Sequence, residues 1–319
     1  MQLHVAKTGI HVPTQIQTAE DLSPRIGRSA QWIRSRTGVE ERRVSERRMD
    51  EMAADAAREA LGGARPDLIL NASLTPVQLI PDSSVFIQRA LGYDGIPSFS
   101  IHATCLSFLV GLHTASGLLA TGAYRRILLV SAEQGTVCRD YGHPESAALI
   151  GDGAAAAVLT PTPDGRESAL LAWGMTTWPE GAEFAEIPGC GTANHPNAPG
   201  AEPEHNLFRM NGPRIYKLAV RKVAHMVQGL LADANLETSD IDWVVPHQAS
   251  GPALKTLPRM GIDPDRIVDV VGQYGNCIAA SMPMALHTAV TDGRIKRGDR
   301  VLLLGTGAGL SVAGAVLRW

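Results

Sequence analysis

Two runs of small and branched apolar residues constrain this chain more than anything else in it. Arg126-Ile-Leu-Leu-Val-Ser and Ala154-Ala-Ala-Ala-Val-Leu carry no alternation of polar and apolar positions. Strands of that kind are buried on both faces, as they are in a sheet with helices on either side. The segments around them read as helices. Met52, Ala53, Ala56, Ala57, Ala60 and Leu61 precede a Gly62-Gly63 stop, Pro81 through Leu91 is closed by Gly92, and Leu106, Leu109, Val110, Leu112 and Leu118 recur at helical spacing up to Gly122. Further strands are expected over residues 3–10 and 66–71. Helix and buried strand therefore alternate, which indicates an α/β sandwich rather than a barrel or an all-β fold.

The segment 178–209 turns abruptly to Pro, Gly, Asn, Glu and His. It is expected to be a surface excursion near an entrance rather than an interdomain linker. After it the pattern resumes: a helix over 214–234, strands over 241–246 and 267–271, a short helix around 253–260, a helix over 281–292, and a strand from 300. A glycine turn, Gly305-Thr-Gly-Ala-Gly, feeds one more strand. The second part thus repeats the first, which suggests a duplicated fold with halves at 1–165 and 166–319.

Composition mainly excludes. A net charge of -3 argues against general nucleic-acid binding. Cys105, Cys138, Cys190 and Cys277 show no metal-ligand spacing, so neither a zinc site nor a disulfide framework is expected, and free thiols suit a reducing, cytoplasmic setting. No apolar run is long enough to span a bilayer, and no export signal is read at the start of the sequence. Charge is uneven, however: eight arginines face three glutamates between Arg25 and Arg48. A solvated surface would explain such a run. Trp32 lies inside it, so a ligand bearing a phosphate and a stacking base is the alternative.

Three polar residues stand where a buried element ends. Cys105 follows the strand-like Phe99-Ser-Ile and opens the helix of Leu106. There, unpaired N–H groups and the positive end of the helix dipole are expected to favour a thiolate. His247 follows Trp243-Val-Val-Pro, and Asn276 stands in Tyr274-Gly-Asn-Cys, before the helix expected from Ser281. Singly, each has a plain explanation as a core thiol, a structural histidine or a turn.

Together they resemble the thiolase superfamily, in particular the β-ketoacyl-acyl-carrier-protein synthase III group. The resemblance runs nearly end to end. It is carried by Asp21-Leu, Trp32-Ile-Arg-Ser-Arg-Thr-Gly-Val, Ala103-Thr-Cys-Leu-Ser-Phe, Gly151-Asp-Gly-Ala, Met210-Asn-Gly, Trp243-Val-Val-Pro-His-Gln-Ala, Tyr274-Gly-Asn-Cys-Ile-Ala-Ala-Ser and Asp292-Gly-Arg-Ile-Lys-Arg-Gly-Asp. It implies a five-layered αβαβα sandwich of two duplicated halves and a catalytic triad of Cys105, His247 and Asn276. It further implies an oxyanion hole made by the backbone N–H groups of Cys105 and Ala308, the latter where relatives commonly carry glycine. Trp32, Arg36, Asn211 and Gly212 fall where relatives hold coenzyme A. Ile80 falls where they reach into the partner subunit's acyl pocket, so a homodimer is implied. Arg214, Lys217 and Arg221 recur on one helix face suited to an acidic acyl carrier protein; ordinary solvation is the alternative.

The expected activity is acyl transfer from a thioester to Cys105, followed by decarboxylative condensation with a malonyl thioester, without a cofactor. Alternatives are acyl transfer to oxygen or nitrogen, condensation of two acyl chains without prior decarboxylation, and a non-catalytic partner subunit. Two departures point to a specialised acyl donor. The neighbourhood His143-Pro-Glu145 lacks an arginine that relatives carry beside adenine, and Ser250-Gly-Pro252 replaces a basic residue. Dinucleotide binding by Gly305-Thr-Gly-Ala-Gly is disfavoured, because no helix follows it.

Overall fold

The computed structural model describes residues 1–319. Strands β1 (His4–His11), β2 (Leu68–Asn71), β3 (Ser98–Ser100), β4 (Ile127–Glu133) and β5 (Gly153–Thr160) form one sheet in the spatial order β1-β5-β4-β2-β3. Strands β6 (Ala169–Gly181), β7 (Trp243–Pro246), β8 (Arg300–Gly307) and β9 (Gly309–Arg318) form a second, in the order β7-β8-β9-β6. In the first, β2 runs parallel to β4, and β5 lies antiparallel to β4 and to β1. In the second, β7 runs parallel to β8, and β9 lies antiparallel to β8 and to β6. Four strands of one sheet thus match four of the other in order and sense.

The fifth strand explains where the sequence reading fails. The first sheet is completed by β3, parallel to β2. The strand expected over 267–271 is reduced to one parallel bridge between Val244 and Ile267, and Val271–Tyr274 is helical. The reason is the fully buried Gln248 amide. Its Nε2 donates to Pro246 O and Val268 O at 2.9 and 3.0 Å, and its Oε1 accepts from Val270 N–H at 2.9 Å. One side chain satisfies backbone groups that a ladder would otherwise pair. Strand β6 was not anticipated at all; along most of its length it adds to β9 as a sheet edge.

Helices α1 (Met49–Leu61), α2 (Ser83–Leu91), α3 (Ser107–Ala120), α4 (Gly212–Asp233) and α5 (Ser281–Thr291) supply the other layers. Helix α1 covers the outer face of the first sheet, α4 the outer face of the second, and α3 and α5 lie between the sheets. The order is αβαβα, as the resemblance implied. All seven residues of β4 are buried, and so are the alanines of β5. Small residues allow the layers to approach closely: a Cβ on Gly9 of β1 would stand 2.2 Å from Ala56 O in α1. Helix α3 buries Phe108, Leu109, Leu112, Ala115 and Leu119 among side chains of both sheets, as a helix apolar on several faces must. No helix is long and apolar enough to cross a membrane.

The excursion is shorter than expected, because β6 runs on to Gly181. Its two ends are joined where Ala185–Glu186 pairs with Arg209–Met210.

Candidate active site

Cys105 sits in a 3-10 turn, Thr104–Leu106, that precedes α3. Thr104 has φ 52, so the chain enters that turn sharply and leaves the cysteine partly exposed. The end of β8 packs against this turn. A Cβ on Gly307 would stand 2.6 Å from Thr104 Oγ1, and one on Gly305 would stand 2.9 Å from Leu106 Cδ2 and 3.0 Å from His247 Cβ. Only glycine lets the Cys105 turn and His247 flank the same strand end so closely.

His247 is 5% exposed and follows β7, its backbone N–H donating to Leu304 O at 2.8 Å. Asn276 is placed by pairing with the segment before β5: its N–H donates to Leu149 O at 2.8 Å, and Gly151 N–H donates to its carbonyl at 3.1 Å. Its side chain is oriented as well. Oδ1 accepts from Ile278 N–H at 2.8 Å and from Ser281 Oγ at 3.4 Å, and Nδ2 donates to Ala249 O at 3.3 Å. An amide nitrogen has two hydrogens, so one donor remains after the bond to Ala249. Ala249 lies two residues beyond His247, which ties the two donors to one loop.

The electrostatics correct one expectation. The backbone N–H groups of Cys105 and Ala308 both favour a charged sulfur at Cys105. They do not prevail: burial, reinforced by the buried Glu133 carboxyl, pushes the thiol up to about 12. Cys105 therefore rests as a thiol, not the thiolate expected from its helix position. Burial pushes His247 down to about 4, so its imidazole is neutral at pH 7. Alkylation of Cys105 by iodoacetamide, followed by peptide mapping, should accelerate about tenfold per pH unit from pH 7 to 10, because only the thiolate reacts. A plateau below pH 9 would contradict this.

Glu133, at the end of β4, was missed in the sequence because nothing beside it signals chemistry. Its carboxyl accepts from Leu74 N–H at 2.6 Å and from Thr75 N–H and Oγ1 at 3.0 and 2.8 Å. Burial raises it to about 7 against these bonds. Asp152 of the Gly151-Asp-Gly signature is also structural in its contacts, accepting from Ser45 N–H and from Thr136 N–H and Oγ1.

A cavity of about 700 Å³ opens beside α4 and reaches His247, Gly305 and Thr306. Its apolar wall includes Ile215, Ala219 and Val223, and its mouth carries Arg36, Glu145, Lys255 and Arg259. Of the predicted delivery residues, Arg36 and Gly212 line it. Trp32 and Asn211 do not: Trp32 rests beside a small core with Arg28 5.7 Å from its ring, and Asn211 caps α4 by accepting from Arg214 N–H at 3.1 Å. Ile80 is 81% exposed, on the loop before α2. Arg214, Lys217 and Arg221 are exposed on α4, with Arg214 5.2 Å from the Phe184 ring. Lys255 and Arg259 escaped the sequence reading because a broken helix separates them, Gly251–Leu254 and then Leu257–Met260.

The arginine cluster is mostly paired with carboxylates of the same chain. Arg34 pairs with Glu20 and Glu40, Arg43 with Glu41, Arg47 with Asp55, and Arg48 with Asp50. Arg42 is wholly buried, which corrects the solvated-surface explanation for that position. Burial and the neighbouring Arg139 lower it to about 9. No group of three or more His, Cys, Asp and Glu side chains is placed to hold a metal ion.

Comparison with known proteins bears on the family and the fold. A family model described as 3-Oxoacyl-[acyl-carrier-protein (ACP)] synthase III matches residues 99–177, and a model of its C terminal matches residues 231–319. The beta-ketoacyl-[acyl-carrier-protein] synthase III of Synechocystis sp. is 36% identical over 99% of this chain and 98% of that protein. The crystal structure of 3-oxoacyl-[acyl-carrier-protein] synthase III from Aquifex aeolicus superposes with a TM-score of 0.91 at 30% identity, covering 99% of this chain and 100% of that one. The priming beta-ketosynthase from the R1128 polyketide biosynthetic pathway superposes with a TM-score of 0.90 at 27% identity, covering 99% of this chain and 96% of that one.

Proposed function

The chain belongs to the 3-oxoacyl-[acyl-carrier-protein] synthase III family of condensing acyltransferases in fatty acid or polyketide biosynthesis, and from that premise we propose how its own residues share the work. Cys105 is the nucleophile, His247 and Asn276 are the donors for an enolate, and the N–H groups of Cys105 and Ala308 form the oxyanion hole. One observation carries this assignment: the Cys105 turn and His247 flank the same end of β8, where a Cβ on Gly305 would stand 2.9 Å from Leu106 Cδ2 and 3.0 Å from His247 Cβ.

In the first step, with the thiol at about 12 and His247 at about 4, proton transfer ahead of attack runs steeply uphill, so the two occur together. Because Cys105 is a thiol and His247 a neutral imidazole, the sulfur attacks the thioester carbonyl as its proton passes to His247. The tetrahedral oxyanion is held by the two backbone N–H groups. As it collapses, the proton moves on to the departing thiol, leaving an acyl group on Cys105. In the second step a malonyl thioester loses carbon dioxide. The electron pair released becomes an enolate whose oxygen accepts from a His247 ring N–H and from the free Asn276 Nδ2–H. The enolate carbon attacks the acyl carbonyl, and the same oxyanion hole holds the new tetrahedral centre. Collapse expels the Cys105 sulfur, which regains its proton from solvent.

The cavity beside α4 delivers the thioester arm, with its mouth at Arg36 and Gly212. Arg214, Lys217 and Arg221 dock an acidic carrier protein. Ile80, beside Leu79 at 77% exposure, covers a second copy of the chain in a homodimer. The halves fall at 1–165 and 166–319. No resident cofactor takes part in these steps.

The test is intact-mass measurement after incubation with acyl thioesters of varied length, with peptide mapping of any adduct. One donor should leave a stable acyl mass on Cys105. An adduct on another residue, or none from any donor, refutes the assignment.

A further inference from the structure

The mouth of the cavity holds an ion pair made by residues far apart in the chain. Arg36 directs Nε and a terminal nitrogen onto one oxygen of Glu145, at 3.1 and 2.7 Å. Glu145 lies in the first turn of the helix Pro144–Ala147, and its other oxygen is 3.9 Å from where a Cβ on Gly212 would stand. Both side chains remain partly open to solvent, 49% and 34%, and both line the route to His247. A guanidinium placed to meet an incoming phosphate is therefore already engaged by a carboxylate.

On that side Arg25 and Arg28 rest over the Tyr141 and Trp32 rings, at 4.1 and 5.7 Å, and neither lines the cavity. Arg34, Arg43, Arg47 and Arg48 are paired elsewhere. The opposite wall differs. Lys255 and Arg259 are exposed and make no ion pair; Arg259 reaches only the Tyr216 hydroxyl, at 3.4 Å. Outside the mouth, Arg214, Lys217 and Arg221 are also exposed cations without a salt bridge on α4. The positive charge free to act is thus spread over a surface, while the one cation that lines the cavity on the Arg36 side is neutralised.

We infer that Glu145 is a specificity-determining residue that disfavours nucleotide-bearing acyl donors and turns the site toward acyl groups presented on an acidic carrier protein. The inference rests on the condensing function proposed above. A coenzyme A thioester brings a 3′-phosphate and a diphosphate into the mouth itself. A phosphate reaching Arg36 must displace Glu145 or sit beside a like charge. Displacing an exposed pair costs little, so repulsion sets the scale, and about tenfold in kcat/KM is expected. A carrier-borne arm brings one phosphodiester, which Lys255 or Arg259 can meet, and the carrier's acidic surface falls on the free cations of α4.

The test supplies one acyl group in two forms, as its coenzyme A thioester and on an acidic acyl carrier protein, to the native protein and to Glu145→Gln and Glu145→Ala. The native protein should prefer the carrier-borne donor, and added salt should weaken that preference. In both variants the ratio of kcat/KM for the coenzyme A donor to that for the carrier donor should rise about tenfold, chiefly through KM for the coenzyme A donor. A native protein that takes the coenzyme A thioester at least as well overturns the inference, as does a ratio that moves less than about twofold where tenfold is expected. Acylation of Cys105 by both donors with an unmoved ratio sinks the inference alone. If no acyl group of any length acylates Cys105 in either form, the proposed function falls with it.

Discussion

Asn276→Ala should slow decarboxylative condensation by about 10²–10³-fold while leaving acyl transfer to Cys105 within about threefold of native, the size expected for one lost oxyanion donor. The two steps use different donors. In the proposed function, acyl transfer draws on the N–H groups of Cys105 and Ala308, whereas the enolate draws on His247 and the free Nδ2–H of Asn276. The alanine variant has a side effect, because Ile278 N–H loses its acceptor. That costs about 1 kcal/mol of stability and confuses a simple activity assay. Asn276→Asp controls for it. The aspartate keeps an oxygen for Ile278 and Ser281, loses the donors to the enolate and to Ala249 O, and turns a negative charge toward both. Both variants should fail at carbon dioxide release and still accept acyl groups. Parallel loss of acyl loading in Asn276→Asp would remove the division of labour.

Gly151→Ala should be the most disruptive single methyl added near the site. Its Cβ would stand 2.2 Å from Tyr274 O and 3.3 Å from Arg42 Cβ. Neither neighbour yields easily, since one is backbone and the other the root of a buried side chain. The clash falls where Gly151 and Leu149 pair with Asn276, so relief of the strain moves Asn276. A destabilisation of about 2–3 kcal/mol is expected, with a Tm lower by roughly 4–8 °C. Condensation should fall at least about tenfold more than acyl loading, by the same donor argument. Gly117→Ala is the control. Gly117 lies in α3 with nothing within 4 Å of where its Cβ would stand, and alanine there should raise stability by about 0.5–1 kcal/mol. A Gly151→Ala protein that melts and condenses like the native one would contradict the packing argument.

What could be read from the sequence was what local chemistry decides. The unalternating β4 and β5, the alanine face of α1, and the placement of Cys105 and His247 at element ends all follow from neighbouring residues. Long-range features escaped. Gln248 replaces a strand ladder only because Val268 and Val270 come beside it. The Arg36–Glu145 pair joins positions 109 apart, and nothing near either residue predicts the other. The thiolate expected at Cys105 failed for the same reason. A helix N-terminus is visible in sequence, but the burial that outweighs it, and the buried Glu133 that adds to it, belong to the folded core. The arginine run misled because its partners Glu20, Asp55 and Glu145 lie outside it.

The central claim is that one sulfur carries the acyl group while two neighbouring nitrogens generate the carbon nucleophile that removes it. A single-turnover experiment tests this directly: load Cys105 with an acyl group, add a malonyl thioester with a labelled free carboxyl group, and follow the protein mass and labelled carbon dioxide together. The account predicts that each carbon dioxide released is matched by one acyl group lost from Cys105 and one β-ketoacyl thioester formed. Condensed product accumulating while the acyl mass on Cys105 stays constant would contradict it.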